Sequence, residues 1–389
     1  MPVSAARPTI PTERFAARLA AAQAAAAEAG LDALLVGVGP DLRYLAGYRA
    51  MPLERLTLLV VPAAGRPRLV VPRLEEDPAR RSAAGAAGLV DIVAWDETDD
   101  ASARVAAIVA EARSGPIGDL AVSDTLWALH LLRLQAALPD ARFSLGSAVT
   151  SPLRIVKDAA EIELLRLAAE AADRVVEQIA SGPLVGRTEI DVAREVRDRL
   201  VAEGHESAEF AIVASGPNSA SPHHEPGERV IAAGEPIVLD IGGLLGGYAS
   251  DITRTIWVTG GDPHRGPDDD FRRIFAAVRQ AQSEATAAAR PGVRAERVDE
   301  VARSIIEEAG FGDRFIHRTG HGIGLEAHEE PYVVAGNETP LSAGMAFSIE
   351  PGIYLEGRYG VRLEDIVVCT ANGPVALNRA PLDLHVVAG

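Results

Sequence analysis

The spacing of apolar residues changes along the chain, and each change predicts an element. "PTERFAARLAAAQAAAAEAGLDALLVGVG" opens with a helical pattern. It predicts a helix capped at Thr12, running to about Ala29 and ended by Gly30. "DALLVGV" is short and continuously apolar, as a buried strand is. "LTLLVVPAAGRPRLVVP" holds two Val/Leu runs around a turn with Gly65 and Pro67, which predicts a hairpin. "VDIVAW" and "IGDLAVS" read as further strands, and "ASARVAAIVAEARS" and "TLWALHLLRLQAAL" as helices. The mixture predicts an α/β domain in residues 1–150, its last element ending near Ser147.

A second region follows. Ser151-Pro152 is expected to break the chain, which puts the boundary within 148–157 and the second domain over 151–389. Ile162, Leu165, Ala169 and Ala172 then recur at helical spacing, with Asp158 as the expected cap and Glu161 three residues on. Further along, "RTEIDVAREVRDRLVAE" lies between Gly186 and Gly204, and "VRAERVDEVARSIIEEA" between Gly292 and Gly310. The two helical patterns have equal length, and each leads into a strand-like stretch. Such an echo fits a duplicated α+β unit with pseudo-twofold symmetry, and equally two unrelated amphipathic helices.

Composition narrows this picture. At 389 residues, two domains are favoured over one. Aromatics are 4 %, so the cores are built from Leu, Val, Ile and Ala. A net charge of -17 argues against nucleic acid and anionic membranes as partners. The single cysteine, Cys369, excludes an internal disulfide and a Cys-rich zinc site, and is expected to be a small buried hydrophobe. No run reaches the ~18 apolar residues of a membrane span, and "MPVSAARPTIPTERF" has no continuous apolar stretch. A cytoplasmic protein is expected.

The chemistry concentrates late in the chain. "HRTGHGIGLEAHEEP" carries His317, His321 and His328, with Gly320 and Gly322 flanking the middle one. "PIVLDI" is an apolar strand with one charge, Asp240, and "DITRTIWV" begins with Asp251. The glycines at 242, 243, 246 and 247 are expected to form a tight return that sets the two aspartates side by side. Two carboxylates so placed want a metal or a shared proton. "MAFSIE" ends at Glu350, and Pro351-Gly352 is expected to turn the chain. "VRLEDIVVCT" reads as a strand with Arg362 and Glu364 on one face and Asp365 on the other. Four carboxylates and one imidazole suit hard or borderline divalent ions, and a carboxylate bridge between two ions would account for so many acids. There is no HExxH, and "GGLLGG" lacks the lysine of a phosphate loop.

These segments, with "SGPNSASPHHEP" and "PDLRYLAGY", resemble the creatinase/prolidase/methionine aminopeptidase superfamily, and within it the Xaa-Pro dipeptidases and aminopeptidases. The resemblance covers nearly the whole chain. It implies an α/β creatinase-like N-terminal domain and an α+β pita-bread catalytic domain with pseudo-twofold duplication. Residue by residue it makes Asp240, Asp251, His321, Glu350 and Glu364 the ligands of two divalent ions. Manganese is expected first, with cobalt, zinc or iron open. It makes His223, His317, His328 and Arg362 the remaining active-site residues, with Glu350 shuttling a proton and His317 orienting His321. The implied reaction is attack of a metal-bridging hydroxide on the bond before proline, in dipeptides or short peptides. Phe210, Tyr332 and Tyr354 are candidates to wall the proline ring. His130, His205, His224, His264 and His385 fall outside the constellation. A homodimer is expected. Two other functions fit the resemblance: a hydrolase or lyase of small non-peptide substrates, and a non-catalytic binding protein. Retention of all five ligands weighs against the last.

Overall fold

The computed structural model describes residues 8–112 and 117–389. The N-terminal seven residues and the end of the predicted helix at 101–114 (Arg113 and Ser114) lie outside them. The chain forms two compact units, one of Ile10–Arg154 and one containing Ile155–Gly389.

The first unit is a six-stranded sheet in the order Asp91–Trp95, Arg68–Pro72, Leu58–Pro62, Ala33–Gly37, Asp119–Val122, Arg142–Leu145. The predicted hairpin pairs Leu58 with Val70, antiparallel, and the helices at Ala101–Glu111 and Ala128–Ala137 are present. The first helix, Thr12–Glu28, differs at its start: Pro11 is the cap residue and no side chain caps it. Ser151-Pro152 does not break the chain either, since both sit inside the helix Ser147–Arg154. Proline removes one donor there and crowds the preceding turn. Bonds from outside the helix offset that cost: Thr150 Oγ1 donates to Asp41 at 3.0 Å, Arg154 pairs with Asp41 at 2.8 Å, and Tyr44 donates to the Leu153 carbonyl at 2.7 Å.

The second unit carries the duplication. Asp158 caps the helix Ala159–Ala180 in a full capping box with Glu161. The two echoing helices are Glu189–Ala202 and Ala295–Glu308, both of 14 residues. Gly186 donates its N–H to the Ile231 carbonyl, and Gly292 does the same to Leu341. The residue before each helix bridges a strand entry, Thr188 to Val230 and Arg294 to Pro340. Asp240 then lies nine residues after Ile231 and Glu350 nine after Leu341, so the repeat itself makes these two carboxylates counterparts.

Each half packs two helices on a sheet. Val175, Val192, Leu239 and Ile252 belong to one core, and Phe271, Val298, Phe347 and Val367 to the other. The first sheet runs His385–Val387, Tyr248–Val258, Glu235–Leu245, Ser207–Ser215. The second runs Glu329–Val333, Gly320–Gly322, Ala346–Ile349, Asp365–Thr370, Gly373–Ala376. They meet where Glu364 bridges Thr253. Lys157, the only lysine in the chain, is buried in this unit and pairs with Glu329 at 2.5 Å. Cys369 is buried, free and inside the second core. No helix among the described residues is long and apolar enough to cross a membrane.

Candidate metal centre

The hairpin of Glu235–Leu245 and Tyr248–Val258 sets the first two carboxylates. Only Gly246 and Gly247 form its turn, with φ of 59° and 86°, the left-handed pair that a two-residue hairpin requires. Gly242 and Gly243 lie inside the strand instead. Asp251 pairs with Gly242, and Asp240 with Thr253. The aspartates are thus diagonal neighbours on one face, with Thr253 beside them. Gly242 leaves room opposite Asp251, because a Cβ there would meet the Ser250 carbonyl at 2.3 Å.

Glycine works differently around His321. A Cβ at Gly320 would lie 1.9 Å from the Ser348 carbonyl, and one at Gly322 2.2 Å from the Glu330 carbonyl. Both glycines therefore let this short strand lie between its neighbours. His321 Nδ1 donates to the Gly322 carbonyl at 3.2 Å. That turns Nε2 inward, 3.2 Å from Glu350 Oε1 and 3.8 Å from Asp251 Oδ2.

The stretch expected as one strand, "VRLEDIVVCT", is two. Tyr359–Arg362 pairs with Gly352–Leu355, and Asp365–Thr370 joins the five-stranded sheet. The chain changes sheets at Leu363 and Glu364, so Glu364 is held at the junction. Its Oε2 accepts from Thr253 Oγ1 at 2.7 Å. Asp365 turns away to pair with buried Arg254 at 2.7 Å.

Asp240, Asp251, His321, Glu350, Glu364, His223, His317, His328 and Arg362 all line one cavity of about 540 Å³. Phe210 lines it too, whereas Tyr332 and Tyr354 are absent from its lining. Tyr354 is buried behind Arg362 and receives its Nη1–H at 2.9 Å. The tyrosine hydroxyl is then free to donate to His317 Nε2 at 2.8 Å, while His317 Nδ1 donates to the Arg318 carbonyl at 2.7 Å. His317 therefore orients Tyr354 and Arg362, and not His321, because both of its nitrogens are engaged elsewhere. Burial lowers its pKa, which keeps it neutral in this role.

Charge in the cavity is unbalanced. Arg362 donates to Asp240 Oδ2 at 2.5 Å and to Thr253 at 3.2 Å. One buried oxygen each on Asp240 (Oδ1) and Glu364 (Oε1) has no hydrogen-bond partner. Burial raises the pKa of Asp240, and raises those of Asp251 and Glu364 well above the usual range, with Glu364 next for Asp251 and Glu350 next for Glu364. Burial also opposes ionisation of Glu350, but the His321 hydrogen bond and nearby positive charge bring it down to about 2. Ligand atoms of Asp251, His321 and Glu364 all lie within 4.8 Å of one another. Orphaned oxygens, a convergent imidazole and carboxylates reluctant to ionise unaided are what a divalent cation would satisfy.

Two supporting acids escaped the sequence reading. Glu189 accepts from Ser215 N and Oγ, each at 2.7 Å, from Asn218, and from His224 at 2.8 Å. It thereby fixes the segment that ends in Pro222 and His223. Asp299, on the matching helix, accepts from Thr319 N at 3.1 Å and Oγ1 at 2.7 Å, and pairs with Arg303 at 2.7 Å. The Thr319 carbonyl accepts in turn from Glu350 N at 2.8 Å. The available signal was a lone acid within each helix's apolar stripe, beside Val192 and Val196 or Val298 and Ala302. Asp299→Ala is expected to weaken metal binding by ~10–100-fold, the scale for losing support behind ligands. Titration of metal-free protein with the ion measures this, and unchanged affinity would show that the anchor does not reach the ligands.

Residues 163–371 match Metallopeptidase family M24, and residues 18–156 match the Creatinase/Prolidase N-terminal domain. The chain is 48 % identical over 376 residues to the Probable dipeptidase PepE of Mycobacterium bovis, covering 96 % of this chain and 97 % of that one. It is 35 % identical over 364 residues to the Xaa-Pro dipeptidase of Lactobacillus delbrueckii subsp. lactis, covering 92 % and 96 %. The crystal structure of Dipeptidase PepE from Mycobacterium ulcerans superimposes with a TM-score of 0.90 at 47 % identity, covering 97 % of this chain and 99 % of that one. With a family match across most of the duplicated unit and relatives this similar along nearly the chain's full length, the chain belongs to metallopeptidase family M24 and is a peptidase with a creatinase-type N-terminal domain.

Proposed function

We propose that this peptidase hydrolyses the bond before proline in Xaa-Pro substrates, with two divalent ions held by Asp240, Asp251, His321, Glu350 and Glu364. The observation that carries the reading is the set of four carboxylates and one imidazole converging on a single cavity, two of the carboxylates with an orphaned oxygen. A carboxylate bridge between two ions would account for so many acids around one imidazole. Manganese is the proposed ion because the donor set is mostly carboxylate oxygen. Ions bound there would supply Lewis acidity, lowering the pKa of a water and polarising the substrate carbonyl.

The protein's own groups do the rest. Glu350, with its Oε1 3.2 Å from His321 at the cavity, is the group proposed to take and return a proton. His328 and His223 stand at the cavity wall as N–H donors toward oxygen charge that develops during attack. Phe210, Ile212 and Pro222 give the cavity an apolar wall, which suits a pyrrolidine ring whose amide nitrogen has no hydrogen to donate. The similar Lactobacillus protein is named an Xaa-Pro dipeptidase, which supports the same substrate class.

The test is turnover of Ala-Pro, Gly-Pro and Ala-Ala by metal-free protein reloaded separately with Mn, Co, Zn or Fe. Cleavage confined to the proline peptides, with about two ions bound, is expected. Metal-loaded protein that cleaves none of the proline peptides would remove this reading.

A further inference from the structure

Lys157 is the only lysine in a chain whose other permanent side-chain cations are all arginines. Its side chain is 1 % exposed, and its ammonium lies 2.5 Å from Glu329 Oε1 and 3.4 Å from the Ile155 carbonyl. Burying such a pair adds little stability over an apolar pair of the same volume, but removing one partner leaves an uncompensated charge. What the pair does supply is a fixed position for two stretches of backbone, both in the second unit. On one side, Lys157 donates its N–H to the Gly344 carbonyl at 2.8 Å, and Val156 bridges Met345. The strand Ala346–Ile349 follows directly and pairs with the strand of His321. On the other side, Glu329 stands opposite Gly322 in the antiparallel partner of that same strand.

Residues 323–328 connect Gly322 to Glu329, and His328 is the last of them. The Glu329 carboxylate folds back under this loop, since a Cβ on Gly324 would lie 2.6 Å from Oε1 and 3.0 Å from Oε2. The loop thus closes on a carboxylate that Lys157 neutralises. His317 is tethered through both ring nitrogens, whereas the His328 ring has no hydrogen-bond partner among the described residues. It takes its place beside His321 from the backbone of this loop.

We propose that Lys157, through Glu329, is a positioning residue for His328, keeping the 323–328 loop closed and so setting where the imidazole stands in the cavity. This rests on the role given to His328 under the Xaa-Pro reading. Without the ammonium, Glu329 is a buried unpaired charge, and lifting the loop off it is the way to rehydrate it. His328 moves with the loop. His321 does not, because its strand lies between two others and its N–H donates to Ser348 Oγ at 3.1 Å. Losing Lys157 therefore disturbs the group that faces the substrate and spares the metal ligands.

The test is a double-mutant cycle on metal-loaded protein. Lys157→Met keeps the length of the side chain without its charge. It is expected to lower kcat/KM for Ala-Pro by up to the ~10²-fold that a misplacement of about 1 Å costs, chiefly in kcat, with metal stoichiometry unchanged. In a His328→Ala background the same substitution should cost about twofold or less. Lys157→Met/Glu329→Gln removes both charges and should recover part of kcat; if only this variant folds, it takes the place of Lys157→Met in the cycle. Equal losses in the two backgrounds would overturn the proposal, as would a wild-type kcat/KM in Lys157→Met. Ring resonances of histidine-labelled, zinc-loaded protein read the same displacement without substrate. Those of His328 should shift in Lys157→Met while those of His317 stay, and an unshifted His328 would also overturn the proposal. A shift in a protein that turns over no Ala-Pro strikes the Xaa-Pro reading and leaves the positioning by Lys157 standing.

Discussion

Asp251→Asn is expected to lose at least half of the bound metal and to lower Ala-Pro turnover by more than the ~10²–10³-fold that one lost transition-state contact costs. Asn keeps the shape and one acceptor oxygen but removes the charge. The same change should leave the metal-free protein folded. Asp251 is buried, and its pKa is pushed up first by burial and then by Glu364, so in the absence of a cation its charge is a burden. A carboxyl whose folded pKa is raised contributes stability fully below its unfolded pKa, and loses it as pH rises through the folded value. Metal-free wild type should therefore lose stability as pH climbs above the ordinary carboxylate range. Glu350, at about 2, adds nothing to that slope there. With no proton to lose at position 251, the variant should show a shallower decline. Melting temperature against pH, with and without Mn, measures this beside metal content and turnover. Wild-type values for metal and turnover would take Asp251 out of the site.

This tension between folding and function explains why the site was easier to read than parts of the fold. Asp240 is a single charge in the apolar run "PIVLDI", and Glu350 closes "MAFSIE". A charge is costly on such a strand, so each stands out without any knowledge of its partners. The glycines around His321 also stood out, although their reason, two backbone approaches too close for any Cβ, needed the neighbouring strands. The misreadings arose where distant contacts overrode local preference. Pro152 looked like a break, but Asp41 and Tyr44, more than a hundred residues earlier, hold its helix together. "VRLEDIVV" looked like one strand because nothing within it signals that its two ends belong to different sheets. The role of His317 was misassigned for a similar reason, since Tyr354, its partner, lies 37 residues away.

The duplication links these observations. Glu189 and Asp299 occupy matching helices, and each holds the segment that brings histidine to the cavity. Asp240 and Glu350 are counterparts by the same repeat. A site assembled from two copies of one unit needs few inventions: one carboxylate strand and one buried helix acid, used twice. What the copies do not share, His321 and Arg362, makes the two sides chemically unequal.

His328→Ala is expected to separate chemistry from metal binding. The His328 ring lies 4.0 Å from that of His321, centre to centre and inclined at 63°, so it sits beside a ligand candidate without sharing its direction. Desolvation in the cavity, followed by His321 and Arg318, pushes its pKa down to about 4. At pH 7 it is therefore a neutral ring with one N–H to give, suited to an oxygen that gains charge during attack and not to neutralising a carboxylate. Metal stoichiometry should remain at the wild-type value, while kcat/KM for Ala-Pro falls by ~10²-fold or more. His328→Gln, which restores a donor of similar reach, should recover part of the loss. The fall should appear chiefly in kcat, because the contact strengthens as the substrate oxygen becomes negative. If metal is lost instead, His328 is a ligand, and the pairing of His321 with Glu350 does not complete the coordination on that side of the cavity.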